Sequence, residues 1–151
     1  MATSGELHRL DLLGAWVAHA VFLLTIAVFL CRLAGRSRAE HRLGGILLLI
    51  AVPLLFLLVL APRHQRPTLY YVQIVIMLVY LVVEFLLDYA LRFEFRHTQW
   101  MVVAYVTLFF AGTGGMVGLA ARAGRPYAVS SALLFFAMTA LAFVQRARTG
   151  M

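Results

Sequence analysis

Five long apolar runs, separated by short polar clusters, make up almost the whole of this 151-residue chain. Each run has close to the roughly 20 residues with which a helix crosses the hydrocarbon of a bilayer. Their connections are too short for an extramembrane domain, so successive helices must be antiparallel. The pattern predicts an all-α polytopic membrane protein, a single transmembrane domain whose five spanning helices lie at about 12–31, 43–61, 68–91, 99–121 and 126–144.

The third run is the most polar of the five. Gln73, Met77, Tyr80, Glu84 and Asp88 follow one another at spacings of 4, 3, 4 and 4, which places them on one helical face. We expect that face to turn towards protein or water, because a charged side chain at the bilayer centre costs about 2.5–3.5 kcal/mol on insertion scales. Glu84 is the foremost candidate for a ligand- or proton-binding group, with Asp88, Tyr80 and Gln73 beside it.

Both acidic residues of this face also have a structural interpretation. Asp88 stands four residues before Arg92, and Arg96 continues the same face, so Asp88 is equally suited to an ion pair at the helix end. Glu84 lies about one turn deeper, where no arginine of its own helix reaches it as easily. It is either a buried proton or cation site or a neutral carboxyl group that hydrogen-bonds helices together.

The other runs offer weaker candidates. Pro53 lies in the middle of the second run and predicts a kink, because it removes one backbone hydrogen bond. His19 is the only histidine deep inside a run, so the chain cannot build a bis-histidine haem site by itself. A hydrogen bond between helices is the favoured role for His19, with cofactor or ligand binding as the alternative. The membrane orientation predicted below places His19 in the outer half of the bilayer, away from Glu84.

Small residues in the fourth run predict close helix packing. Gly114, Gly115 and Gly118 allow another backbone to approach, and a locally unwound binding segment is the alternative. In the fifth run, hydroxyl residues show no spacing to a histidine and an acid that would make a nucleophilic triad, so we predict that they form interhelical hydrogen bonds. These residues are Ser130, Ser131 and Thr139.

The composition supports the assignment as a membrane protein and argues against a soluble domain and a nucleic-acid-binding protein. The chain is 64% hydrophobic and 13% charged, with a mean hydropathy of +0.93, whereas a soluble domain has roughly 45–50% apolar and about 25% charged residues. The net charge of +7 does not predict nucleic-acid binding, because the arginines lie at the ends of apolar runs and not on one exposed face. Cys31 is the only cysteine, which excludes an intrachain disulfide and a thiolate metal cluster.

The arginines also indicate the orientation in the membrane. With the N-terminus outside, the cytoplasmic side carries eight arginines and the outer side five. Because cytoplasmic loops are enriched in basic residues, we predict an external N-terminus and a cytoplasmic C-terminus. The eight are Arg32, Arg36, Arg38, Arg42, Arg92, Arg96, Arg146 and Arg148.

These features favour three functional hypotheses. The first is a membrane protein that binds or transports a small solute or proton through an intrabundle polar pocket centred on Glu84. The second is an intramembrane enzyme acting on a lipid or isoprenoid, with Glu84, Asp88, Tyr80 or His19 as acid or base. The third is a non-catalytic subunit or assembly factor of a larger membrane complex. The expected partners are the lipid bilayer and a second copy of the chain or another membrane protein. No metal site is predicted, and the residues identify no cofactor.

Overall fold

The computed structural model of this protein describes residues 4–90 and 98–149. Five stretches of it are long and apolar enough to cross a membrane, and no strand occurs in the described residues, which confirms the all-α bundle. A 3₁₀ turn at Pro62–His64 precedes the third span, and a π-helical turn at Leu86–Ala90 ends it. The α-helices are α1 (Ser4–Leu33), α2 (Ser37–Leu49), α3 (Ala51–Leu60), α4 (Thr68–Phe85), α5 (Gln99–Ala121) and α6 (Arg125–Thr149).

The second span is broken near Pro53, as the sequence predicts. α2 ends at Leu49 and α3 begins at Ala51, so the interruption falls at Ile50, one turn before the proline. Pro53 has no N–H group to donate to the carbonyl of Leu49, which is the bond that would hold this turn together. The N–H of Ile50 instead reaches the carbonyl of Leu47 at 3.1 Å.

Helix α1 lies at the centre of the bundle and packs against α2, α3, α5 and α6, while α4 packs mainly against α5. The inward face of α1 is fully buried at Ala15, Ala18, Val21 and Phe22. Large apolar side chains cover the outer surface, an arrangement that suits hydrocarbon as the solvent. Examples are Trp16, Leu49, Val59, Trp100, Leu133 and Phe136.

The polar face of α4 lies against a glycine face of α5. A Cβ added at Gly112 would lie 3.4 Å from the Cα of Met77, and one added at Gly115 would lie 3.4 Å from the Cα of Gln73. One added at Gly118 would fall on the side-chain amide of Gln73. The two helices therefore approach closely because these positions of α5 carry no side chain.

Gly114 departs from the predicted packing role. A Cβ added there would meet nothing within 4 Å, so Gly114 does not face α4 or another helix closely. The positions of α5 that face α4 are Gly112, Gly115 and Gly118. Gly114 immediately precedes Gly115, and one residue corresponds to a rotation of about 100° around the helix, so Gly114 points in another direction. The glycine face of α5 is thus Gly112, Gly115 and Gly118.

His19 and Ser130 join α1 to α6. The Nε2 atom of His19 lies 2.7 Å from the Oγ atom of Ser130, and its Nδ1 atom lies 2.7 Å from the carbonyl oxygen of Ala15. A carbonyl oxygen can only accept, so Nδ1 carries a proton and donates it. The predicted interhelical bond is present at Ser130, which has a histidine partner that spacing along the chain did not reveal. Ser131 and Thr139 bond to carbonyls of their own helix.

An ion pair ties the starts of two spans together. Nη2 of Arg66 lies 2.8 Å from the carboxylate of Asp11, and the guanidinium stands 5.1 Å from the centroid of the Tyr70 ring. Arg122 approaches the same ring at 5.5 Å. This cluster holds the start of α1 against the start of α4.

Candidate functional site

A polar cavity of about 240 Å³ lies at the end of the bundle where α1 finishes and α2 begins. The connection at residues 34–36 is so short that the two helix ends meet there, and the π-helical turn after α4 forms the remaining wall. All the acidic residues of this end of the described bundle line it. The polar lining residues used below are Arg32, Glu40, His41, Glu84, Asp88 and Tyr89.

Glu84 lies half-buried on the inner wall of this cavity. Its carboxylate accepts a hydrogen bond from the hydroxyl of Tyr105 on α5. The hydroxyl of Tyr80 stands 3.5 Å from that of Tyr105. Because the proton of Tyr105 goes to Glu84, Tyr80 is the donor to Tyr105. The result is a short chain of hydroxyl groups that runs from the cavity into the bundle and ends at Tyr80, which is buried.

Arg32 and Glu40 form an ion pair across the α1–α2 connection. Nη2 of Arg32 lies 2.5 Å from Oε1 of Glu40, and Nε donates to the same oxygen at 2.6 Å. Both side chains are about one quarter exposed, so the pair lies at the cavity mouth. The guanidinium charge is directed to Glu40, and the closest group bonded to Glu84 is a neutral hydroxyl.

An aromatic wall closes the cavity on the side of α2. The hydroxyl of Tyr89 donates to the backbone carbonyl of His41 at 2.6 Å, and the two rings stack with centroids 4.4 Å apart. Gly44 makes room for this contact, since a Cβ there would lie 2.8 Å from the Tyr89 hydroxyl oxygen. The π-helical turn carries both Tyr89 and Asp88.

The structure gathers three of the predicted site residues and separates the other two. Glu84 and Asp88 line the cavity, and Tyr80 stands behind Glu84. Gln73 lies beyond the fully buried Met77, against the glycine face of α5, and its Oε1 atom is buried without a hydrogen-bond partner. His19 bonds to α6 and does not share a contact with Glu84.

Asp88 does not continue the buried face. It is exposed at the cavity rim, because the π-helical turn inserts an extra residue per turn and rotates the positions that follow Phe85. Arg92 and Arg96, the predicted ion-pair partners, lie outside the described residues. The helical spacing alone therefore did not determine where Asp88 points.

Sequence reasoning missed most of the residues that surround Glu84. Arg32 serves in the sequence pattern only as an orientation signal, and the pattern gives no role to Glu40 or His41, because all three stand at the ends of spans. Tyr105 follows the start of the fourth span by only a few residues, and it pairs with Glu84 near the end of the third. A comparison of the membrane depth of residues on the antiparallel third and fourth spans would have predicted that Tyr105 lies level with Glu84.

This arrangement suits reversible binding of a proton or a small polar solute. A carboxyl group held by a tyrosine hydroxyl at the edge of a cavity can exchange a proton with water there. Of the described residues, no three histidine, cysteine or acidic side chains stand close enough together to hold a metal ion. Comparison of the chain with protein families, with curated proteins and with solved structures finds no match.

Proposed function

We propose that this chain is a small integral membrane protein that binds a small solute or proton in the cavity centred on Glu84 and moves it across the bilayer. The observation that supports this is the carboxyl group of Glu84, which lines a cavity and is bonded by Tyr105 within a membrane span. An acidic residue is costly at such a depth, and proteins retain one there mainly on an ion or substrate path.

The cavity belongs to one end of the bundle. Beyond Tyr80, the α4–α5 interface is filled by Met77, which is fully buried against Gly112. Transport would then require a rearrangement that exposes Glu84 to the other side. The break at Ile50 and the π-helical turn at Leu86–Ala90 interrupt the regular hydrogen bonding of the two spans beside the cavity, and they are the places where such a rearrangement costs least.

Proton movement in proteoliposomes tests this proposal. Vesicles contain the protein in their membrane and a pH-sensitive dye in their lumen. The external pH is lowered, and the change in internal pH is followed with and without a solute gradient. We expect Glu84→Gln to abolish protein-dependent movement, because an amide cannot carry a proton. Glu6→Gln is the matched control, since it removes a carboxylate from an exposed position at the start of α1. Unchanged movement in Glu84→Gln would refute the proposal.

We also propose that the cavity opens to the cytoplasm and that the chain forms a homo-oligomer. The excess of arginines on the cavity side supports the first part. The second part is supported by α6, because only 11% of its most apolar stretch is buried within one copy of the chain, which leaves this helix available to another. Mass measurement of the purified protein in mild detergent tests the oligomer, and a monodisperse monomer would refute it.

A further inference from the structure

The size of the cavity beside Glu84 bears on the solute that it takes. About 240 Å³ is far more than the roughly 10–15 Å³ that one water occupies on the same measure. A bare metal ion would leave most of this space empty, and the described residues supply no set of three ligating side chains for one. The volume fits a molecule of several heavy atoms.

The charged residues that line the cavity determine whether it favours a positively or a negatively charged molecule. Among the described lining residues there are three carboxyl groups, on Glu40, Glu84 and Asp88, and one guanidinium, on Arg32. Arg32 is paired with Glu40 at 2.5 Å, so Asp88, together with Glu84 whenever Glu84 is ionised, gives the lining an excess of negative charge. At short range in a site partly shielded from water, such charges favour a cation over an anion strongly.

The aromatic wall adds a surface that attracts organic cations. The stacked rings of Tyr89 and His41 line the cavity together with the carboxylates, and Gly44 allows the Tyr89 hydroxyl to approach α2, because a Cβ at Gly44 would lie 2.8 Å from it. A ring face attracts an ammonium group within about 6 Å. Carboxylate and ring together recognise a protonated amine or a quaternary ammonium better than they recognise an inorganic ion.

We propose that the cavity binds a small organic cation and that this cation competes with a proton for the carboxyl group of Glu84. This rests on the proposed function, because it names the solute class of the same cavity. When the ammonium enters, the protonated carboxyl group releases H⁺ to water and becomes the carboxylate that pairs with the cation, so the charge at Glu84 stays balanced. The described titratable and charged groups around Glu84 are Tyr80 and Asp88 on its own span, Tyr89 in the π-helical turn, Arg32, Glu40, His41 and Tyr105.

Thiol labelling inside the cavity measures its preferred sign of charge. In the Cys31→Ser background, Val28→Cys puts a single thiol on the cavity wall. Its reaction rates with a cationic trimethylammonium-ethyl and an anionic sulfonatoethyl methanethiosulfonate are each divided by the rate with a free thiol in water. We expect a normalised cation-to-anion ratio of about ten, equivalent to 1.4 kcal/mol. A ratio of one or below would overturn the proposal.

Further variants assign the preference to Glu84. Adding Glu84→Gln should bring the ratio towards one, whereas Glu84→Asp and the distant Glu6→Gln should leave it near its original value. Tetramethylammonium should slow the labelling, and the concentration needed should rise as the pH falls, by up to about tenfold per pH unit, because H⁺ occupies the same carboxylate. Protection that is independent of pH would overturn the competition.

The two proposals fail in distinguishable ways. If Glu84→Gln abolishes proton movement in proteoliposomes but the labelling ratio is one or below, the proposed function stands and the cation class is wrong. If proton movement is unchanged in Glu84→Gln, the proposed function itself is wrong. The first labelling measurement retains Glu84, so it gives a result even where Glu84→Gln does not fold.

Discussion

Glu84 keeps its carboxyl group inside a membrane-spanning helix because protein hydroxyls stand where water would otherwise be needed. Tyr105 donates to the carboxylate, and Tyr80 stands within 3.5 Å of Tyr105. Both tyrosines have an apolar ring that packs in the bundle, and their hydroxyl groups form a chain of which Tyr105 reaches the acid. The pairing gives the acidic residue a neutral hydrogen-bond donor, while the guanidinium of Arg32 is paired with Glu40.

The bond between Tyr105 and Glu84 should be measurable in a double-mutant cycle. Tyr105→Phe removes the hydroxyl and leaves the carboxyl group with one donor fewer, so we expect a loss of about 1–3 kcal/mol in the free energy of unfolding. In the Glu84→Gln background the same change should cost less, with a coupling of at least 0.5 kcal/mol. Reversible unfolding in mixed micelles provides the four values, and additive losses would contradict a direct interaction.

At the scale of the element, the polar residues predicted on α4 and the glycines predicted on α5 lie against one another in the α4–α5 contact. The polar face of α4 and the glycine face of α5 were identified separately, and they turn out to be two sides of one contact. Gln73 reaches over Gly118, while Met77 and Tyr80 sit on Gly112. Bulky polar and sulfur-containing side chains on one helix thus fill the space that missing side chains leave on the other.

Two neighbouring glycines of α5 should therefore respond differently to the same substitution. Gly115→Leu would force a large side chain against the backbone of Gln73 and should cost at least about 1–3 kcal/mol of stability. Gly114→Leu, one position away, points into open space and should be close to neutral. Unfolding midpoints of the two variants in the same detergent check this, and equal losses would show that the glycine face is not a packing surface.

For the whole molecule, two polar clusters mark opposite ends of a largely apolar bundle. Asp11, Arg66 and Tyr70 tie the start of α1 to the start of α4, and the Glu84 cavity lies at the other end. Between them the core is made of fully buried apolar side chains such as Met77 and Ile74. The distribution gives the two sides of the membrane different chemistry, one with an ion-paired clamp and one with a cavity.

Labelling from outside intact cells should show which side the cavity faces. Both test positions are exposed and lie at opposite ends of the bundle: Thr68 starts α4, and Ala34 follows α1. In the Cys31→Ser background, we expect Thr68→Cys to react with an impermeant maleimide and Ala34→Cys to react only after permeabilisation, because the arginine-rich side is retained in the cytoplasm. The reverse pattern would invert the orientation.

The amino-acid sequence by itself determined the five spans, the break near Pro53 and the packing role of Gly115 and Gly118. Hydropathy over about 20 residues, a missing N–H group and a missing side chain are local properties that can be read from the chain. A bilayer admits few backbone structures, because every backbone polar group within it needs a hydrogen-bond partner in the protein. For the same reason it predicted that Glu84 would turn away from lipid.

Only the tertiary structure decided which groups Glu84 and His19 meet. A partner on an antiparallel neighbour depends on the depth and the rotation of both helices, and a shift of one residue turns a helical side chain by about 100°. The π-helical turn at Leu86–Ala90 changed that rotation for Asp88, and no local pattern announced it. Tyr105, Ser130 and the lining of the cavity follow from the packing of separate spans, since they meet through space and not along the chain.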